Sequence, residues 1–376
     1  MGLVVAGACN RKSPPSAGVQ APPAEKELSL SRFSPTSKLH ATRTKIERLK
    51  FTGVDFHQHI KLAGEAGALP PEQIVAMMDA MNVAMMVHLT GGHGRALEQA
   101  VDQLVKPFPK RFVVFTELNW DHLQHDDFGV RMAADVAKAV AYGARGLKLL
   151  KWFGLGARHP DGGLVKVDDP RFDPVWQTCA RLAIPVAIHT GDPEAFFDPV
   201  DERNERWEEL QQHPQWSFHD AKWPRLPELL AARDRVFARH PKTTFVALHV
   251  GGWPENLDYV SDLLRDCPNV YVDIGGREAE LGRQPLRAET FFTQFADRIL
   301  FGSDVTPAAW NEAGVRVYES YARTLETADE HYDYFGAPAQ GRWRISGLGL
   351  PDDVLQKVYS KNAIAIFSQF GKTAQR

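Results

Sequence analysis

Ile184-Pro185-Val186-Ala187-Ile188-His189 is a short apolar run, rich in β-branched residues, that ends on a histidine. Thr244-Phe245-Val246-Ala247-Leu248-His249 repeats the form. Runs of similar character stand at 83–88, 111–116, 145–150, 269–273 and 298–302, and Gly53-Val54-Asp55-Phe56-His57 precedes them all, which makes eight. Between and after them, apolar residues take helical spacing at 71–81, 94–106, 127–141, 173–183, 226–239, 255–265 and 352–368. Strands this short and this uniformly apolar are buried on both faces, as in a parallel sheet covered by helices. Eight alternating units predict an α/β fold of the (β/α)8 TIM-barrel type, with a doubly wound open sheet as the alternative. No GxGxxG follows the first run, so the dinucleotide-binding form of the open sheet lacks its phosphate loop.

Two connections are too long for simple loops. Residues 190–225 follow the fifth strand and carry Phe196, Phe197, Trp207, Trp216, Phe218 and Trp223. Residues 305–350 follow the eighth and carry Trp310, Tyr318, Tyr332, Tyr334, Phe335 and Trp343. Both leave the C-terminal end of a strand, where barrel active sites lie, so they read as lids or pocket walls. The plainer reading is extra packing against the outer helices.

The strand ends carry metal-ligand chemistry. His57 and His59 flank Gln58 at the end of the first run, and an i, i+2 pair on an extended chain points to one side. His189 ends the fifth strand, His249 ends the sixth, and Asp304 follows the eighth in Phe301-Gly302-Ser303-Asp304. A barrel brings all these ends to one mouth. Several imidazoles and a carboxylate suit one zinc or another divalent ion such as manganese, with a position left for water. A lone histidine is more often a hydrogen-bonded core residue; this many at the ends of different strands is not explained that way.

The composition bounds the rest. The 376 residues are 44% apolar and 24% charged, with 44 Lys+Arg against 47 Asp+Glu. That balance argues against a nucleic-acid partner held through phosphates. Three cysteines, Cys9, Cys179 and Cys267, make neither a disulfide framework nor a zinc ribbon, and the two internal ones read as inert. No run is long and apolar enough for a transmembrane helix. Residues 1–45 read as a leader and proline-rich tether, and 46–376 as one barrel domain. Within the leader, Val4-Val5-Ala6-Gly7-Ala8-Cys9 resembles the lipobox of bacterial lipoproteins, with Cys9 as the lipidated residue. That places the chain at the cell envelope or outside the cell; the alternative is a disordered leader on a cytoplasmic enzyme. The partners expected are a small-molecule substrate, a lipid anchor at Cys9 and, at most, further copies of the chain.

Val54-Asp55-Phe56-His57-Gln58-His59, His189-Thr190-Gly191, Leu248-His249-Val250-Gly251-Gly252, Phe301-Gly302-Ser303-Asp304 and Lys361-Asn362-Ala363 together resemble the amidohydrolase superfamily. The likeness is to its amidohydrolase-related branch of hydrolases and non-oxidative decarboxylases, and covers roughly 50–368. It implies that His57, His59, His189 and Asp304 hold the metal. His249 would orient or polarise substrate, and Asp304 would also take a proton from metal-bound water. Lys148, Arg277, Trp152 and Trp253 are expected to touch substrate. For Lys148 the alternatives are a carboxylated bridge between two metals or a side chain turned outward. His88 and His93 are further pocket candidates, whereas Lys151 and Arg145 read as structural. The first functional expectation is a metal-dependent hydrolase of a small lactone, ester or amide. The second is a decarboxylase or hydratase of an unsaturated or aromatic acid, favoured if Lys148 and Arg277 both face the pocket. A ligand-binding barrel without catalysis comes third, because it predicts a missing ligand and none is missing.

Overall fold

The structure is a computed structural model and describes residues 28–29, 32–305, 312–335 and 340–369. Cys9 and Trp310 lie outside the described residues. The chain divides into two units, Met1–His40 and Ala41–Arg376, and the second holds all the strands described.

Its strands are β1 Gly53–Gln58, β2 Val83–His88, β3 Phe112–Val114, β4 Thr116–Glu117, β5 Leu147–Leu149, β6 Val186–Ile188, β7 Phe245–Ala247, β8 Val270–Asp273 and β9 Ile299–Leu300. They form two parallel sheets, β1-β2-β3 and β4 through β9 in chain order. The run 111–116 expected as one strand is divided at Phe115. Phe115 N–H still donates to His88 O on the β2 side (2.9 Å), while Thr116 N–H donates to Gly146 O before β5 (2.9 Å). At the other edge, Phe56 N–H donates to Phe301 O and Asp304 N–H to His57 O, both at 2.9 Å. These bonds tie the segment after β9 to β1, so the nine pieces read as the eight staves of an α/β barrel.

Between staves, helices form where the sequence puts apolar residues on one face. Phe128–Tyr142 buries Phe128, Met132, Val136 and Val140 and stops at Gly143, whose φ of 144° suits glycine. Asp173–Arg181 and Leu226–Arg239 each start with proline in the first turn, where its missing N–H costs nothing. Inside the strand ring, Phe56, Val87, Phe115, Ala187, Val246 and Leu300 pack on Ala363 and Ile366 of the last helix, Asn362–Ser368. That helix plugs one end of the barrel and leaves the other for chemistry.

The two long connections have different builds. Residues 190–225 gather Phe196, Phe197 and Phe218 with Trp216, Trp223 and Trp253 into a separate aromatic cluster. The helix Glu312–Glu326 of the later one seats Tyr318 and Tyr321 against the barrel. Buried Arg206 pairs with Glu209 (2.6 Å) and with Glu280, and Arg342 pairs with Glu208 (2.6 Å), joining the two connections to each other and to the β8 side. Arg43 and Thr44, read from sequence as tether, are bonded into the body. Thr44 donates from N and Oγ1 to buried Asp329 at 2.8 and 2.7 Å, and Arg43 reaches Glu330 O at 3.0 Å.

Candidate metal centre

His57, at the end of β1, is fully buried, and its Nδ1 lies 2.5 Å from Asp273 Oδ2. The second oxygen of Asp273 accepts the backbone N–H of His249 at 2.6 Å. One carboxylate at the end of β8 thus fixes both a β1 ring and the β7 exit. Burial pushes the Asp273 carboxyl up, but neighbouring His57 and His249 outweigh it and hold it below its usual value. With a carboxylate on Nδ1, that nitrogen carries an N–H and donates it. Nε2 is buried without a hydrogen-bond partner, 3.4 Å from Asp304 Oδ1.

The other groups repeat this arrangement. His59 Nδ1 stands 3.2 Å from Thr90 Oγ1, and its Nε2 lies 3.2 Å from the same Asp304 oxygen. His249 donates Nδ1–H to Gly275 O at 2.7 Å, so its bare Nε2 faces His189 Nδ1 at 3.2 Å. Burial holds the pKa of His59 down and those of His189 and His249 far down, so these rings are neutral. Asp304 shows the opposite balance. Burial would raise its carboxyl, but His57, His59 and His249 hold it well below the usual range, ionised.

Asp304 itself has φ of 57°, and His249 and Val250 have φ of 58° and 53°. The left-handed region is costly for side-chain-bearing residues, most of all for β-branched valine. Both backbone exits are therefore bent to aim His249 and Asp304 inward.

His57, His249 and Asp304 each bring a ligand atom within 4.8 Å of the others. His59 joins through Asp304, and His189 through His249. The residues fit a divalent ion on three counts: neutral imidazoles, one ionised carboxylate, and an orphaned buried nitrogen on His57. The spacing agrees, since two ligands about 2.0–2.1 Å from one ion at a tetrahedral angle stand roughly 3.3 Å apart.

Two cations face this group. Lys148 on β5 pairs in register with Ala187, an inward residue of β6, and is 1% exposed. Its Nζ has no hydrogen-bond partner among the described residues; burial lowers its pKa to about 8, against the opposing pull of Asp304, Asp273 and Glu117. The outward Lys148 is thereby excluded. Arg277, in the loop after β8, is buried with Nε unpartnered and Nη1 on Gly276 O at 2.7 Å. Its charge acts on His189 and His249.

The remaining candidates divide. Trp253 donates Nε1–H to Glu194 at 2.7 Å and joins the aromatic cluster, while Trp152 is 54% exposed beside Trp223. Buried His88 accepts the Ile60 N–H at 3.0 Å and serves the turn after β1; His93 is exposed. Asp55 takes bonds from Ser303 Oγ, Gln58 and Tyr318, each at 2.6 Å or less, and so braces β1 against the β9 exit.

Asp273 and Thr90 are absent from the sequence-derived site. Asp273 had a signal: it ends the apolar run Asn269-Val-Tyr-Val-Asp273 just as the histidines end theirs.

A parallel α/β barrel whose strand ends gather neutral histidines around an ionised aspartate defines a metal-dependent enzyme. The amidohydrolase family model (Amidohydro_2) matches residues 54–369, and the chain belongs to that family. No curated protein matches it by sequence. Among solved structures, an uncharacterised TIM-barrel protein of Bordetella bronchiseptica is 16% identical with TM-score 0.50, over 86% of this chain and all of that one (100%). 2,6-Dihydroxybenzoate decarboxylase from Rhizobium is 17% identical with TM-score 0.53, over 85% and 100%. A manganese-bound 5-carboxyvanillate decarboxylase variant of Novosphingobium aromaticivorans is 12% identical with TM-score 0.50, over 85% and 97%. At these identities the likeness is one of fold.

Proposed function

We propose that this chain is a metal-dependent carboxy-lyase that removes CO2 from a small aromatic or unsaturated carboxylic acid. The observation that carries the reading is a pair of buried cationic side chains beside the histidine–aspartate group, each with a polar atom, Lys148 Nζ and Arg277 Nε, that has no hydrogen-bond partner among the described residues. A buried cation without a partner is expensive. A substrate carboxylate, or a carboxylate and a phenolate, would give both an acceptor and a countercharge; a neutral lactone or amide would give an acceptor without the charge. Decarboxylases of aromatic acids share the fold, so it accommodates such chemistry.

His57, His59, His189 and Asp304 would hold the ion, with His249 against them. Bound there, a divalent ion supplies a Lewis acid that polarises a substrate oxygen. Arg277 and Lys148 clamp the acid group and set its plane. His249 gives its proton to Gly275, so toward the centre it offers a lone pair, not a hydrogen bond. Asp304, ionised, starts as a base: it takes a proton from water or a substrate hydroxyl and returns it to the carbon that loses CO2. The carbon–carboxyl electron pair stays on that carbon and takes up the proton, CO2 leaves, and the hydroxide or phenoxide left by the first proton transfer is reprotonated from solvent, which closes the balance. The aromatic cluster of 190–225 would limit water.

A hydrolase uses the same groups, and the ionised Asp304 beside His57 and His59 suits a base for water. The two separate in one experiment. The metal-loaded protein is offered aromatic and unsaturated acids, lactones and amides in D2O. We expect CO2 release with one deuterium on the vacated carbon, and a KM raised tenfold or more by Arg277→Met. Turnover confined to lactones or amides would overturn the lyase reading.

A further inference from the structure

Asp192 is buried in the loop after β6, three residues beyond His189. Lys151, from the β5 exit, donates Nζ–H to Asp192 Oδ2 at 2.7 Å. The other oxygen, Oδ1, lies 3.6 Å from His189 Nε2, which is buried and has no hydrogen-bond partner among the described residues. On the far edge of the ring, Nδ1 stands 3.2 Å from the bare Nε2 of His249.

A neutral imidazole carries one proton, on one nitrogen or the other. On Nδ1, the proton would be used up on His249, and Nε2 would turn a lone pair toward a carboxylate. Two acceptors would then face each other in a buried space with no proton between them. On Nε2, the proton gives Asp192 a donor after a shift of a few tenths of an ångström. His189 Nδ1 and His249 Nε2 then both offer lone pairs to one cation, at the spacing of neighbouring ligands.

We propose that Asp192, locked by Lys151, is a positioning residue of the metal centre: it selects the Nε2–H form of His189 and so makes Nδ1 the ligating nitrogen. The lock reaches further. The Lys151 ammonium lies 5.8 Å from the Trp216 ring and 5.7 Å from the Phe218 ring, so the aromatic connection 190–225 also seats the lysine. A lysine that reads as structural from sequence thus links the aromatic connection to the histidine. The inference rests on His189 belonging to the metal centre, and the test separates the two.

The full chain would be loaded with Zn2+, or with Co2+ for its visible bands, in wild type, Asp192→Asn, Asp192→Glu, Lys151→Met, the Asp192→Asn/Lys151→Met double variant and His189→Gln. Chelator competition reads metal affinity, and thermal melting of the metal-free protein reads the fold. Asp192→Asn should bind metal about 10–100-fold more weakly, with shifted cobalt bands and little change in melting. Asp192→Glu should recover part of the loss. Lys151→Met should weaken binding less, and the double variant should match Asp192→Asn alone, because the lysine acts through the carboxylate. Unchanged affinity and bands in Asp192→Asn, with metal lost in His189→Gln, would overturn the proposal. Metal retained in His189→Gln would overturn the ligand assignment beneath it. If Asp192→Asn fails to fold, Lys151→Met decides, since its side chain is 31% exposed and readily replaced; unchanged affinity there also rejects the lock.

Discussion

Asp304 is asked to bind and to react. Its Oδ1 stands 3.2 Å from His59 and 3.4 Å from His57, and those rings keep it ionised. Asp304→Asn keeps the shape and one oxygen but loses the basicity. We expect that variant to retain much of its metal while turnover falls by about 10²–10⁴, the range of a lost general acid–base. His189→Ala should instead shed metal. Metal content and turnover on both variants check this, and near-normal turnover in a metal-replete Asp304→Asn moves the base elsewhere. Lys148 sets a pH limit. With its pKa lowered to about 8, it is an ammonium below that pH and neutral above it. An anchor for a carboxylate works only as the cation, so kcat/KM should be sustained below pH 8 and fall as pH rises through it. Lys148→Arg should remove that alkaline limb, and a limb that survives the change rejects the role. The histidines were legible in the sequence because an ionisable ring ending an apolar run has few structural uses. Asp192 and Thr90 were not, because a lone aspartate or threonine after a strand reads as an ordinary turn residue.

At the scale of elements, the staves were legible because burial on both faces leaves uniform apolar runs. Their limits were less so: the third run changes partner at Phe115, a matter of which neighbour the backbone bonds to, not of composition. Helix Phe128–Tyr142 was legible from its periodicity, but what seats it was not. A Cβ on Gly129 would come within 1.8 Å of Arg171 O, in the 3-10 turn Pro170–Phe172 beside it. Gly129→Ala should therefore cost about 1–3 kcal/mol through forced backbone shifts. Thermal unfolding should show the loss while metal content stays normal; an unchanged melting temperature would mean the turn moves freely. The long connections were legible as insertions and as aromatic, but not in their build. Trp253 on Glu194 and Arg206 on Glu280 are pairings between distant segments, and no local period announces them.

For the whole molecule, the sequence marked a polar, proline-rich beginning and a barrel after it, but set the junction too late. The second unit begins at Ala41, and Thr44 is bonded to Asp329, 285 residues further along the chain. Contacts separated by so much sequence leave no trace in composition. The same body gives something up at its centre. The backbone is left-handed at His249, Val250 and Asp304, where a glycine or, at the aspartate, an asparagine would sit more easily. Heat tolerance and turnover therefore pull these positions in opposite directions. In a lineage propagated under heat with no demand for the reaction, glycine or asparagine should spread first at 249, 250 and 304, and the enzyme would decay from its active site outward while its barrel grew sturdier.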